Sequence, residues 1–371
     1  MGALALNRST ASLVTGFPAF RARNVLHELT RRHPEVEVVA LVHPSRAAEA
    51  RAAADELGLS DGSVTLVEGD PAAIDFGLSG AAYLALAARV RVVHGAYSVT
   101  DPDLTDGVET LNVGAARELV EFARAASGLE RLVLYSSVFV SGDRTGRVPE
   151  DELEAGQGFR NPTERSLAIA ERLVRNSGLP FNVLRCGHLL GASDDGSIDR
   201  PSGPYLCAGI LLSAPADTAL PLPPFVEARL PVTPVDYLAE LGASATELFA
   251  AGTTMHAIDP RPLTLGGFVR LLAEALGRDL DPGFSAGAMT RALLGNPVAK
   301  LLPKNRRGLL EILTTGGDYD TERAAELPSR GGPECPPLGE YLGKVIEHVR
   351  KRVDGGSLYP KLREEPAFLV A

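Results

Sequence analysis

The sequence predicts an α/β protein built on a doubly wound parallel sheet. Three observations predict it. Through residue 185, short apolar runs rich in β-branched residues alternate with segments of helical periodicity. One of those runs, VEVVALV (Val36–Val42), is apolar almost without interruption, as in a strand covered on both faces. The first run, ASLVTG, stops at Gly16 just ahead of a helical segment, so strand, tight turn and helix follow one another directly.

The elements follow in order. Ala11–Gly16 is the first strand, and Asn24–Arg32 a helix with Val25, Leu26 and Leu29 inward. Val36–Val42 is the second strand, followed by Ala47–Leu57, an Ala-rich helix with its charges outward. Val64–Val67 and Val90–Val93 are the third and fourth strands. Thr105–Ala126 carries Leu111, Ala115, Leu119, Phe122 and Ala123 at helical spacing. Leu132–Tyr135 is the fifth strand, Glu164–Arg175 the next helix, and Phe181–Leu184 the sixth strand. Strand and helix in strict alternation imply right-handed βαβ units, hence a Rossmann-type sheet.

After Arg185 the texture changes. Ala192–Pro224 is loop-rich, Val235–Ala250 returns to helix, Met255–Ile258 to strand and Leu265–Leu276 to helix. Ala286–Leu313 is markedly apolar, and Leu338–Val349 is an amphipathic terminal helix. The expected organisation is a dinucleotide-binding-like domain over 1–185, completed by 226–260. A smaller C-terminal substrate lobe, 186–225 with 261–371, lies over the carboxyl edge of the sheet. Leu211, Leu212, Leu220 and Leu222, with Met289, Leu293, Leu294, Leu301 and Leu302, fit a pocket for an apolar substrate, lobe core or a homodimer face equally well.

Composition narrows the function. A net charge of −10 on 371 residues disfavours a nucleic-acid partner, which needs a basic surface. The three cysteines, Cys186, Cys207 and Cys335, lie far apart and show no metal-binding spacing, which fits a reducing cytoplasm and no metal. No basic segment followed by a long apolar stretch opens the chain, and no run of about 20 apolar residues is present to span a bilayer.

The turn TGFPAFRAR (Thr15–Arg23) stands where a phosphate-binding loop belongs, and Gly16, Phe17, Ala19 and Phe20 are its cofactor-binding candidates. Such a turn wants glycine at three places, and here only Gly16 is glycine; Ala19 and Ala22 take the others. A methyl at Ala19 is expected to intrude on a pyrophosphate, whereas the helix N-terminus still favours an anion. Binding of NAD or NADP is therefore expected to be weakened, and the alternative of a plain βα turn stays open.

Several segments together resemble a known family: TGFP, LVEGD (Leu66–Asp70), LNVGAARELVEFA (Leu111–Ala123), YSSVFVSGDRTG (Tyr135–Gly146), LPFNVLRCGHLLG (Leu179–Gly191) and PVTPVDYLAE (Pro231–Glu240). In order and spacing these are similar to the extended short-chain dehydrogenase/reductases, in their thioester-reductase-like, male-sterility-type branch. The resemblance implies NAD(P)-dependent reduction of a carbonyl or acyl thioester. It also implies a hydroxyl after the fifth strand and a YxxxK on the next helix, the Tyr moving the proton and the Lys lowering its pKa. Ser137 falls at the hydroxyl position, but Thr163 stands in place of the Tyr and Leu167 in place of the Lys. Asn112 matches a family helix asparagine and Asp70 the residue that meets adenine.

Candidates for the chemistry follow. Ser137 and Thr163 carry hydroxyls at the matched positions, and Tyr97 and Tyr205 are substitute phenols. His94, at the end of the fourth strand, and His188, after the sixth, are general-base candidates. His43 and Arg46 end the second strand where a ribose or its phosphate would lie. The bland alternatives are caps, packing residues and solvated loops. With Ala19, Thr163 and Leu167 all departing from the redox apparatus, the expectation is an enzyme that does not use the standard Ser-Tyr-Lys mechanism. It would carry out a non-redox, isomerase- or cyclase-like step on a small apolar molecule in specialised metabolism. The alternatives are an NAD(P)H-dependent reductase with another proton donor, and a metabolite- or nucleotide-sensing protein.

Overall fold

The run ASLVTGF forms β1 (Ala11–Phe17), buried along its whole length, and α1 (Phe20–Arg32) follows with Ala22, Val25, Leu26 and Leu29 turned inward. The computed structural model describes residues 10–59, 62–100, 107–198, 204, 220–221, 227–261, 263–277, 280–281 and 316–354. Then come β2 (Glu37–Val42), α2 (Ala47–Glu56), β3 (Val64–Glu68), α3 (Gly80–Arg89), β4 (Val90–Gly95), α4 (Val108–Ala125) and β5 (Arg131–Ser137). Next are β6 (Gly146–Val148), α5 (Pro162–Arg175), β7 (Phe181–Cys186), β8 (His188–Leu190), β9 (Leu220–Pro221) and β10 (Val232–Pro234). The remaining strands are β11 (Thr253–Ala257), β12 (Leu280–Asp281) and β13 (Gly317–Tyr319). Later helices span Val235–Ala243, Leu265–Ala275, Glu322–Glu326 and Leu338–Asp354.

Seven strands make one sheet in the order β11-β7-β5-β4-β1-β2-β3, every neighbouring pair parallel. The chain builds outward from β1 to β3, then returns to place β4 on the other side of β1. That reversal opens a crevice at the carboxyl ends of β1 and β4, the usual ligand position of such sheets. The doubly wound Rossmann-type architecture expected from the sequence is therefore present, with β11 as its last strand.

Both faces are covered. Val25, Leu26 and Leu29 of α1 pack with Tyr135, Leu184, Leu238 and Leu241 on one face. On the other, Tyr83, Leu86, Leu119 and Phe122 of α3 and α4 pack on Leu13, Leu41 and Leu132. Each fully buried Leu or Phe contributes about 1.5–3 kcal/mol. A separate apolar cluster joins β8 and β10 to the helices Leu265–Ala275 and Leu338–Asp354 through Leu190, Val232, Phe268, Leu272, Tyr341 and Val345.

Helix starts follow local chemistry. Asn161 accepts from Glu164 N at 2.9 Å with Pro162 in the first turn of α5, and Ser79 accepts from Ala82 N to start α3. Three differences from expectation are clear. Helix α3 was not foreseen, α1 begins at Phe20 rather than Asn24, and the helix expected over Val235–Ala250 breaks at Ser244. Met289, Leu293, Leu294, Leu301, Leu302, Leu211, Leu212 and Leu222 lie outside the described residues, as does Tyr205. Among the described residues no helix is long and apolar enough to cross a membrane, and no group of His, Cys, Asp and Glu is placed to hold a metal.

Candidate active site

The β1–α1 turn forms one wall of the crevice. Gly16 has φ +91°, and a Cβ there would lie 3.0 Å from the Ala96 carbonyl and Tyr97 Cα, so only glycine lets the turn sit against the end of β4. The Phe17–Pro18 peptide is cis, and Ala19 N donates to Gly16 O at 2.9 Å. Tyr97 N donates to Thr15 Oγ1 at 3.2 Å, tying the two strand ends together. Helix α1 has no side-chain cap and no acidic residue in its first turn, which leaves its amide dipole available to an anion. Phe17 and Ala19 are 2% and 1% exposed and Phe20 is half-buried. The Ala19 methyl is thus already enclosed by protein and does not stand in the crevice as expected.

Beyond the turn, a small void of about 20 Å³, room for one water or one ligand oxygen and partly open to solvent, lies among the carboxyl ends of β1, β4 and β5 and the helices α4 and α5. Thr15, Tyr97, Ser98, Asn112, Ser136 and Leu167 border it. Burial, with help from the charge of Asp70, pushes the Tyr97 phenol up to about 12, so it keeps its proton at neutral pH. Asn112 accepts from Val99 N at 2.7 Å and donates to Val99 O at 3.0 Å and Ser166 Oγ at 2.8 Å, pinning the β4–α4 loop to both helices. Leu167 packs with Val140, Leu153 and Ala168. Thr163 sits one turn earlier, half-buried, its carbonyl accepting from Ser166 Oγ.

The two strand-end serines divide their roles. Ser137 Oγ accepts from Phe139 N at 3.2 Å and starts the short helical turn that follows β5. Ser136, not Ser137, borders the void, and its hydroxyl donates to Glu171 Oε2 at 2.7 Å. Glu171 is paired in turn with Arg185, Nη2 to Oε1 at 2.6 Å, both groups fully buried.

On the opposite face of the sheet lies a second polar group. Arg21, 3% exposed, donates through Nη2 to Ala96 O at 2.8 Å and to Ser98 Oγ at 2.6 Å. The groups acting on its charge are Cys186 and Tyr135; no carboxylate among the described residues pairs with it, and burial pulls its pKa down. His94 meets the Tyr135 hydroxyl at 3.1 Å through Nδ1, and burial drives its pKa down to about 3, so the ring is neutral.

The remaining candidates stand apart. His188 sets its ring against Phe139 at 5.0 Å and is not among the residues bordering the void. His43 Nδ1 meets Ser45 Oγ at 2.8 Å, and its Nε2 is 3.9 Å from Asp70 Oδ2, which brings the ends of β2 and β3 together. Asp70 also accepts from Ala72 N, as a turn residue does, while Arg46 forks onto Glu49. Arg21, Ser98 and Glu171 are not among the candidates the sequence offers, and of the strand-end pair Ser136 and Ser137 the resemblance points to Ser137. Arg21 had a signal: it opens the inward stripe of Ala22, Val25, Leu26 and Leu29, where a charge is out of place.

A family model described as male sterility protein matches residues 14–241, which span the crevice, the turn and α5. The chain belongs to that family. It is therefore a member of the NAD-binding, extended short-chain dehydrogenase/reductases, as the sequence resemblance implied. Among solved structures, the terminal R domain from the myxalamid PKS-NRPS biosynthetic pathway superposes with a TM-score of 0.74 at 21% identity, covering 92% of this chain and 91% of that one. A reductase domain of a nonribosomal peptide synthetase from Mycobacterium tuberculosis gives 0.71 at 21% identity, with 94% and 92% covered. UDP-glucuronic acid 4-epimerase from Bacillus cereus, in complex with NAD, gives 0.66 at 16%, with 95% and 100% covered. At these identities the similarity establishes the shared fold. No curated protein sequence matches the chain.

Proposed function

We propose that this protein binds NAD(P)H across the β1/β4 switch point and reduces a carbonyl or acyl-thioester group of a small apolar substrate in the crevice, its reacting oxygen entering the adjoining small void. The observation that carries this reading is the β1–α1 turn: Gly16 at φ +91° seated on the end of β4, beside a helix N-terminus with no cap and no acid of its own. The residues fit the group. The backbone of the turn would hold the diphosphate, and His43 and Asp70, 3.9 Å apart at the ends of β2 and β3, would meet the adenosine side. When bound, the cofactor supplies a hydride.

The chain itself must place the substrate carbonyl and return a proton. Tyr97, protonated at neutral pH and bordering the void, is the phenol that would give its proton to the carbonyl oxygen of a reduced carbonyl substrate, or to the thiolate that an acyl thioester would release as its C–S bond breaks. Thr163 has no accessible ionisation and Leu167 carries no donor, so neither serves. Ser136 is committed to Glu171 and keeps the β5 end rigid. Family membership favours this reading over a non-redox step. One observation favours the latter: Leu167 lies in an apolar cluster where the family resemblance implies a cation at the nicotinamide ribose.

Titration with NADH and with NADPH, followed by nicotinamide fluorescence, separates the two. Saturable binding tighter than about 100 μM, a free energy near −5.5 kcal/mol, supports the reductase. Absence of binding by either nucleotide overturns it and leaves the non-redox reading.

A further inference from the structure

We infer that Ser98, polarised by the buried guanidinium of Arg21, is the hydrogen-bond donor that receives the ligand's carbonyl oxygen in the void. This deepens the reductase reading and rests on it for the identity of the ligand as a carbonyl compound.

The geometry starts from the serine. Ser98 is 5% exposed, and its oxygen accepts from Arg21 Nη2 at 2.6 Å. A hydroxyl that accepts from a cation still has its own proton to give, and accepting makes that proton the better donor. Among the described residues no acceptor takes it, and the residue borders the void together with Tyr97 and Leu167. A carbonyl oxygen entering between these walls meets Ser98 as a preorganised donor.

Arg21 is a costly residue at its place, and the void gives it a use. Its side chain lies on the apolar stripe of α1 with no carboxylate partner among the described residues, and an unpaired buried cation costs several kcal/mol. If it served only to clamp the β1–α1 turn, its two bonds to Ala96 O would suffice. The shorter bond, to a hydroxyl on the wall of the void, is the one that a clamp does not require. Arg21 is thus a positioning residue acting through Ser98. It brings positive charge to the site from α1, where α5 offers Leu167.

The assignment is tested without turnover, with 4-dimethylaminocinnamaldehyde as probe, since the absorption band of this push-pull aldehyde moves to longer wavelength when its carbonyl oxygen accepts a strong hydrogen bond. Saturated wild-type protein should show the shifted band. Ser98→Ala should return it to its position in apolar solvent with the probe still bound, and Ser98→Thr, which keeps a hydroxyl, should restore it. Arg21→Met should reduce the shift while Ser98 remains; if that variant does not fold, the two Ser98 variants decide. With NADPH and the same aldehyde, Ser98→Ala should lower kcat about 100-fold with little change in KM, the mark of a contact that strengthens in the transition state. No shifted band in the wild type, or a shift that survives in Ser98→Ala, overturns the assignment. A shift lost in Ser98→Ala together with no NADPH binding keeps the assignment and sinks the reductase reading instead.

Discussion

Replacing Glu150 with Gln should flatten the pH dependence of stability between pH 5 and 8. The Glu150 carboxyl is 4% exposed; Oε1 accepts from His256 N at 2.9 Å, and Oε2 lies 3.3 Å from Arg323 Nη1. It joins the end of β6 to β11 and to the helix Glu322–Glu326. Burial raises its pKa from 4.5 to about 7, against the lowering pull of the His256 amide and the Arg323 guanidinium. Between those two pH values the folded protein keeps a proton that the unfolded chain has released. The stability this group confers is therefore complete below pH 4.5 and lost as pH rises through 7. A rise of that size corresponds to about 3 kcal/mol, and because local relaxation and water penetration soften the desolvation that causes it, the expected change is nearer to about 2 kcal/mol. Gln mimics the protonated form. At pH 5 the two proteins should match within about 0.5 kcal/mol, and at pH 8 Glu150→Gln should be more stable by about 2 kcal/mol. Urea unfolding at pH 5, 6, 7 and 8 measures the difference. His256, driven down to about 4 by burial, titrates equally in both proteins and cancels. A Glu150→Gln protein less stable than wild type at pH 8 refutes the reasoning.

Two further perturbations address the site. Glu171→Gln leaves Arg185 buried beside a neutral amide and should cost about 3 kcal/mol in urea unfolding, whereas the double variant Glu171→Met with Arg185→Met should cost clearly less; equal costs would show that the charge pair is not the unit. Gly16→Ala forces a side chain into φ +91° and onto the Ala96 carbonyl, so it should lower stability by about 1–3 kcal/mol and weaken NADPH binding at least 10-fold in the same fluorescence titration; unchanged affinity would mean the turn does not hold the nucleotide.

The sheet was legible because burial on both faces turns each strand into a continuous apolar run, and β1, β2, β4, β5 and β7 all appear where VEVVALV-like runs stand. Helix α3 was not, for a physical reason. GAAYLALAAR is apolar on every side, with Leu84 64% exposed, so it has no polar face to define a period, and its one signal is the Ser79 cap. The serine pair could have been sorted by strand alternation. Leu132 and Leu134 face α4, Val133 and Tyr135 face α1, and alternation continues the α4-facing set to Ser136, which meets Glu171 of α5. Ser98 lies in a loop without period, and only the fold brings Arg21 to it.

Thr163 and Leu167 lie on α5, and the void that Leu167 borders has a wall of different character toward β4. With Leu167 closed into a cluster with Val140, Leu153 and Ala168, the α5 side of the void is apolar and offers no charge to a ribose or an oxyanion. The α1 and β4 side carries Thr15, Ser98 and, behind Ser98, a guanidinium with no counter-charge among the described residues. A ligand oxygen that develops negative charge is therefore drawn toward β4, and the apolar part of the ligand toward α5. Because the Arg21 charge is buried and reaches the void through one hydrogen bond, the side from which it comes sets the face on which the carbonyl lies. Leu167 on α5 and Arg21 on α1 are then two halves of one arrangement, and Arg21→Met should impair polarisation of a bound carbonyl even though Arg21 itself does not border the void.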